Sequence, residues 1–314
     1  MNNIELIENI KKLKKEKNAI ILGHYYQIEE IQQLSDYIGD SLALADYSRT
    51  VDCDIIVFCG VHFMAETAKI LNPSKKVLLP DLNAGCSLAD SCKPESFAKF
   101  KALHPDHIVV SYINCSAEIK ALSDLICTSG NAEKLIRLLP ENEKIIFAPD
   151  RNLGGYINRV TGRNMILWDG ACEVHDVLTS ETIKRYKKQY PQAKVIAHPE
   201  CNDTVLREVD FVGSTNAMLK YVKESGENQF IVATETGIVY QMRAENPEKE
   251  FIIVSNEDGC KCNDCKHMKL NTLEKLYLCL RDEQPEIIMD NTLIKKAKAP
   301  IVRMLEMSKM LNII

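Results

Sequence analysis

Three stretches of this chain end an apolar run on residues able to bind anions or move protons. KVIA gives way to His198, Pro199 and Glu200, AIIL to Gly23, His24 and Tyr26, and IVVS to Tyr112 and Asn114. Alternate residues of a strand share a face, so His198 and Glu200 project together from a strand's carboxyl end. Each stretch is followed by a second element, at 36–41, 124–129 and 210–215, which closes on Ser41, Ser129, or Ser214 with Thr215. Small hydroxyl residues that open a helix offer hydroxyls and free backbone N–H groups to an anion. A third kind of run ends in cysteine, at Cys86, at Cys172, and at the cluster Cys260, Cys262, Cys265.

The three elements keep one beat. Strand ends are spaced 112 − 24 = 88 and 198 − 112 = 86, and hydroxyls 129 − 41 = 88 and 215 − 129 = 86. The first two cysteines follow with 172 − 86 = 86; beyond them 260 − 172 = 88 and 265 − 172 = 93. Three features on one period argue for three copies of one unit, too long for a common solenoid repeat.

The elements that must carry these residues alternate. A helical stripe of Ile4, Ile7, Ile10 and Leu13 precedes a strand over 19–22. A near-continuous apolar run over 54–59 reads as a strand buried on both faces, the type found in parallel sheets. A helix over 64–71 and a strand over 76–79 complete the first copy, and the other two repeat the pattern from Ile108 and Val195. Strands alternating with helices predict α/β domains with parallel sheets. The expected architecture is three similar small α/β domains around a pseudo-threefold axis, with the active site at the centre. The domains are 1–88 with 267–314, then 89–174, then 175–266. After Leu273, Leu276 and Leu280, one helix with Leu293 and Ile294 and another over 301–311 are expected to pack the tail back on the first copy.

Composition narrows the class. Hydrophobic content of 46% with 26% charged residues in 314 is that of a soluble globular protein. A net charge of −5 argues against a nucleic-acid footprint, and no apolar run approaches the roughly 18 residues of a membrane span. The N-terminal stretch carries Glu5, Glu8 and Glu16 and lacks an apolar core, so it reads as no leader, and cytoplasmic is the expected location. Twelve cysteines in a reducing compartment favour metal or redox use over disulfide scaffolding. Cys53, Cys59, Cys115, Cys127 and Cys279 lie in or beside apolar runs, where thiols pack as small hydrophobes.

Strand-end residues of parallel α/β domains collect at the carboxyl edge. A shared centre would receive His24 and Tyr26, Tyr112 and Asn114, His198 and Glu200, the hydroxyls, and one cysteine per copy. Three thiolates leave one position of a four-ligand iron–sulfur cluster open, which suits a Lewis acid rather than an electron carrier. Glu200 and Tyr26 are candidates for the proton transfers. Each piece has a plainer reading: a serine or threonine at a helix start is commonly an N-cap, and a strand-end histidine a hydrogen-bonded structural residue. Cys260, Cys262 and Cys265 with His267 could instead form a zinc site, or Cys262 and Cys265 a reversible disulfide. The alternatives are then a zinc-dependent aldolase or lyase on a phosphosugar, and a non-catalytic iron–sulfur or thiol redox sensor.

Taken jointly, GHYYQ, GDSLALA, PDLNAGC, SYINCSAEIKALSD, ICTSGNA, FAPDRNLGGY, GACEVH, KVIAHPEC, FVGST and KHMKLNTLEKL resemble the quinolinate synthases, iron–sulfur enzymes of NAD biosynthesis. The resemblance covers almost the whole chain. It implies one [4Fe–4S] cluster per chain and condensation of iminoaspartate with dihydroxyacetone phosphate to quinolinate, phosphate and water. Those two small molecules, and the enzyme that supplies iminoaspartate, are the implied partners. The implied cluster ligands are Cys86, Cys172 and Cys265, the last because it directly precedes the family's Met- and Asn-containing helix start. Tyr26, Glu200 and His198 carry the implied catalytic roles. Substrate would be held by His24, Ser41, Tyr112, Asn114, Ser129, His175, His198, Glu200, Ser214 and Thr215.

Overall fold

The apolar runs that end in polar residues become the first strands of three separate four-stranded sheets. The computed structural model describes residues 1–255 and 263–314. The first sheet holds β1 (Ala19–His24), β2 (Tyr37–Gly39), β3 (Ile55–Cys59) and β4 (Lys76–Leu78). The second holds β5 (Ile108–Tyr112), β6 (Leu125–Cys127), β7 (Ile145–Ala148) and β8 (Ile166–Leu167). The third holds β9 (Lys194–Ala197), β10 (Phe211–Val212), β11 (Gln229–Ala233) and β12 (Glu250–Ile253). Every strand pairing is parallel, and each sheet has the same order, second strand, first, third, fourth. β3 and β7 are buried along their whole length, as parallel strands covered by helices on both faces must be.

One local device recurs in all three repeats. The N–H groups of Ile21, Val109 and Val195 donate to the carboxylates of Asp36, Asp124 and Asp210 at 2.7, 2.8 and 2.8 Å. Each aspartate's own N–H returns a bond to the carbonyl of the same strand residue. The aspartate stands just before the second strand, so it pins that strand to the first with one carboxylate and one peptide group. Such a doubly bonded edge fixes the register that aims the strand end, because a one-residue slip would turn every side chain to the opposite face.

Helix Asn3–Glu16 buries Leu6 and Ile10 against Leu276 and Leu280 of helix Leu273–Asp282, over one face of the first sheet. Its start is closed by a capping box between Asn2 and Glu5. The two helices expected at the end of the chain are one, Asn291–Met310, with Pro300 inside it. A proline there forgoes one intrahelical bond, yet Ala297, Pro300 and Ile301 lie in the buried stripe and packing carries the helix through. The helix also lies chiefly against helix Ala117–Leu122 and β6 of the second repeat, and less against helix His62–Leu71 of the first, so the expected packing on the first copy is only a part. The five cysteines read as small hydrophobes are all buried. Among the described residues, no helix is long and apolar enough to cross a membrane.

Candidate active site

A parallel sheet in this order sends its connections away in opposite directions between the first and third strands, leaving a crevice beyond the first strand's carboxyl end. His24 and Tyr112 close β1 and β5, and His198 follows β9. These three, with Tyr26, Asn114 and Glu200 two residues further on, line one cavity. Its volume is about 710 Å³ counting solvent at the mouth. Ser41, Ser129 and Thr215 line it, as do Cys86, Cys172, Cys265 and His175. Of the residues expected there, Ser214 alone does not. Its hydroxyl oxygen accepts from the N–H of Ala217, capping helix Thr215–Glu224.

The two strand-end histidines are built alike. Each accepts at Nδ1 from the backbone N–H two residues on, His24 from Tyr26 at 3.1 Å and His198 from Glu200 at 3.4 Å. A ring nitrogen already accepting cannot take a proton without losing that bond. Burial, together with the charge of His198 on His24, drops the His24 pKa to about 3. Burial likewise takes His198 to about 3, against the pull of Glu200. Both rings are therefore neutral near pH 7, with Nε2–H as the free donor; that of His198 lies 3.1 Å from the Ser129 hydroxyl.

Glu200 is buried and held from several sides. Burial alone would raise its pKa, but His175, His198 and a hydrogen bond from Tyr112 outweigh it and hold the carboxyl at about 2. His175 Nδ1 lies 2.7 Å from Glu200 Oε2, and Asn114 Nδ2 donates to Oε1 at 3.2 Å. With the carboxylate ionised, His175 donates to it from Nδ1. Nε2 is 2.9 Å from the Thr234 hydroxyl, which is 3.0 Å from the Tyr26 hydroxyl. Tyr26 also meets Thr215 at 3.2 Å. Burial first, and then the negative charge of Glu200, raise the Tyr26 pKa well above the ordinary phenol value, so the ring stays protonated. The result is an unbroken chain from Tyr26 through Thr234 and His175 to Glu200.

The thiols form a distinct set. Of ten described cysteines, seven are buried; only Cys86, Cys172 and Cys265 are partly open, and all three face the cavity. Each sulfur receives backbone N–H groups from the turn that follows it: Leu88 and Ala89 for Cys86, Val174 for Cys172, His267 and Met268 for Cys265. Such amides favour anionic sulfur, but burial outweighs them, raising the Cys86 and Cys172 thiols far up and Cys265 to about 11. A cation is needed to make thiolates here, and amide-supported thiols from three repeats in one cavity fit a metal–sulfur group. Cys172, His175 and Glu200 also bring donor atoms within 4.8 Å of one another, although the His175–Glu200 hydrogen bond already uses two of them. Cys260 and Cys262 lie outside the described residues. So do the zinc site and the Cys262–Cys265 disulfide that depend on them.

Several cavity residues were not read from the sequence. Asp40 and Thr128 precede Ser41 and Ser129 and line the wall with them. Glu235 lines it after β11, with Thr234 buried behind Tyr26 and His175, and Val61, Phe63 and Met64 make an apolar wall after β3. The equivalents of Glu235, two residues past the third strand, are Val61 and Asp150. They differ in chemistry, so a search for repeated residue types passes over them, whereas a search for polar residues just past any strand would have found Thr234 and Glu235.

Three parallel sheets that bring an imidazole–carboxylate pair, a buried tyrosine and three thiols to one cavity define an α/β enzyme with a cysteine-rich site able to hold metal. The quinolinate synthetase A protein (NadA) family matches residues 8–306. The chain belongs to that family. It is 59% identical over 304 residues to the quinolinate synthase of Microcystis aeruginosa, covering 97% of this chain and 95% of the relative. The Chloroherpeton thalassium quinolinate synthase is 57% identical over 310 residues, 98% of this chain and 96% of that one. That of Cyanophora paradoxa is 55% identical over 307 residues, 98% and 93%.

Proposed function

We propose that this chain condenses iminoaspartate with dihydroxyacetone phosphate to quinolinate, releasing phosphate and water, with one [4Fe–4S] cluster held by Cys86, Cys172 and Cys265. The observation that carries the reading is the convergence of three partly open thiols and the Tyr26–Glu200 chain on one cavity, in a chain so similar to quinolinate synthases. The cluster, held by three thiolates, supplies an iron with an open position that polarises a substrate oxygen. A pseudo-threefold arrangement of the domains is part of the same reading, supported by the identical strand order of the three sheets. A cytoplasmic location is also part of it, supported by the free thiols.

The protein's own groups divide the remaining work. Ser41, Ser129 and Thr215 ring the cavity with hydroxyls at turns and helix starts, suited to the carboxylates and phosphate of the substrates. The neutral rings of His24 and His198 offer Nε2–H to substrate oxygens without adding charge. Tyr26, held protonated, is the terminal acid that donates to a departing oxygen. Its hydroxyl is aligned by Thr234, which itself meets His175 at Nε2. Glu200 binds protons weakly in the free protein, so its first duty is to hold the His175 ring in the orientation that completes this chain. The apolar wall of Val61, Phe63 and Met64 keeps water from the reactive intermediates.

The test is an anaerobic assay of the brown holoprotein for pyridine dicarboxylate formed from the two substrates. Product from wild type, with Glu200→Gln retaining the cluster absorbance and losing turnover, is the expected result. Colourless protein with stoichiometric zinc, or full turnover in Glu200→Gln, would overturn the reading.

A further inference from the structure

Glu235 has no exposed side-chain surface, and its carboxylate spans parts of the molecule far apart in sequence. Oε2 accepts from the N–H of Gly237 at 2.7 Å, within its own turn. Oε1 accepts from the N–H of Cys265 at 3.1 Å and meets Lys269 Nζ at 2.9 Å. Lys269 Nζ in turn donates to the carbonyl oxygen of Tyr26 at 2.7 Å. The backbone of Cys265 is thereby tied, through one carboxylate and one ammonium, to the backbone of the buried tyrosine.

Folding of the sheet end does not require this charge. The equivalent position in the first repeat is the apolar Val61. In the second it is Asp150, which caps its own helix through the N–H groups of Asn152 and Leu153. Glu235 makes the matching bond to the N–H of Gly237 with one oxygen only, and its other oxygen reaches out of the turn to Cys265 and Lys269. The turn is also pressed directly on Tyr26: a Cβ added at Gly237 would come within 2.8 Å of the Tyr26 Cα and carbonyl carbon. The neighbouring Thr234 holds the hydroxyl end of the same tyrosine. Tyr26 is gripped at both ends by the segment that also grips Cys265. A buried carboxylate beside thiols destined to be anionic is unfavourable unless a cation lies against it; Lys269 is that cation.

We propose that Glu235 and Lys269 are a positioning pair, which sets the thiol of Cys265 and the hydroxyl of Tyr26 at a fixed relation across the cavity. This rests on Cys265 being a cluster ligand. Groups that orient metal ligands from behind cost about 10–100-fold in affinity or activity when lost. In anaerobic holoprotein, Lys269→Met should speed the release of iron to a chelator about tenfold or more. It should lower kcat with KM little changed, because the tyrosine moves and the substrate-binding rim does not. Glu235→Gln should act in the same direction. The double variant, which removes both charges, should release iron no faster than Lys269→Met. Wild-type iron release in both single variants, or a double variant whose effect is the product of the two, would overturn the proposal. Lys269 is 26% exposed, so Lys269→Met carries the test alone if Glu235→Gln does not fold. Cys265→Ser separates the two readings: full iron content in that variant removes Cys265 as a ligand. Lost iron there, with wild-type release in Lys269→Met and Glu235→Gln, removes only the positioning pair.

Discussion

The first and third repeats share a strand order and an aspartate clamp, yet they finish their third strands in opposite chemistry. Beyond β3 come Val61, Phe63 and Met64, an apolar face; beyond β11 come Thr234 and Glu235, both hydrogen-bonded across repeats. The first strands diverge less, with His24 and His198 accepting the same backbone bond at Nδ1. Two positions on, however, the first repeat supplies a phenol and the third a carboxylate. A scaffold repeated three times keeps the bonds that aim its strands and varies what is aimed. The cavity thus gains an apolar wall, a phenol and a hydrogen-bonded chain from one design.

The comparison breaks most visibly at Tyr26, the proposed proton donor. Tyr26→Phe keeps the ring and its packing but removes the hydroxyl shared by Thr215 and Thr234. Turnover should fall by about 10²–10⁴, with cluster absorbance intact; steady-state kinetics on anaerobic protein reads this. Thr234→Val cuts the chain one bond further back and leaves Tyr26 held by Thr215, so a loss of roughly tenfold is expected, the worth of one hydrogen bond. Equal losses in the two variants would show that the tyrosine acts only as part of the chain.

A second contrast concerns what the repeats have in common. Replacing Asp36, Asp124 or Asp210 by alanine leaves a strand N–H without its partner, at a cost of about 1–3 kcal/mol each. The three costs should be alike in urea unfolding of the cluster-free protein. A clamp that cost nothing in one repeat would show that its sheet is held by other means.

The last contrast is read in pH. His24 and His198 have folded pKa values of about 3 against 6.5 unfolded. Between those limits the unfolded chain binds more protons, so stability rises with pH from about 3 to 6.5 and levels above it. His24→Asn, which cannot be charged, should flatten that rise in the cluster-free protein, as followed by denaturant midpoints across the range. An unchanged slope would mean that other groups carry it.

Much of this was legible before any coordinates. The beat of 24, 112 and 198, and of 41, 129 and 215, announced one centre, because residues that share a duty recur at equivalent places. Thr234 and Glu235 escaped for the converse reason: their counterparts do other things, and a period cannot reveal what is not repeated. Ser214 lies on the same beat and caps its helix, a duty that a period in the sequence does not distinguish from binding. The sequence reads as two closing helices where there is one, and Pro300, a residue type that ordinarily ends a helix, stands between them. Burial of Ala297 and Ile301 on either side overrides that local preference.

The tie from Lys269 to the carbonyl of Tyr26 joins residues near opposite ends of the polypeptide. Nothing made early in synthesis can enclose the cavity until its closing segment has emerged and docked. A chain truncated before Cys265 would lack both the last of the three cavity thiols and the lysine that ties this segment to Tyr26, so any metal those thiols hold would have to be loaded late.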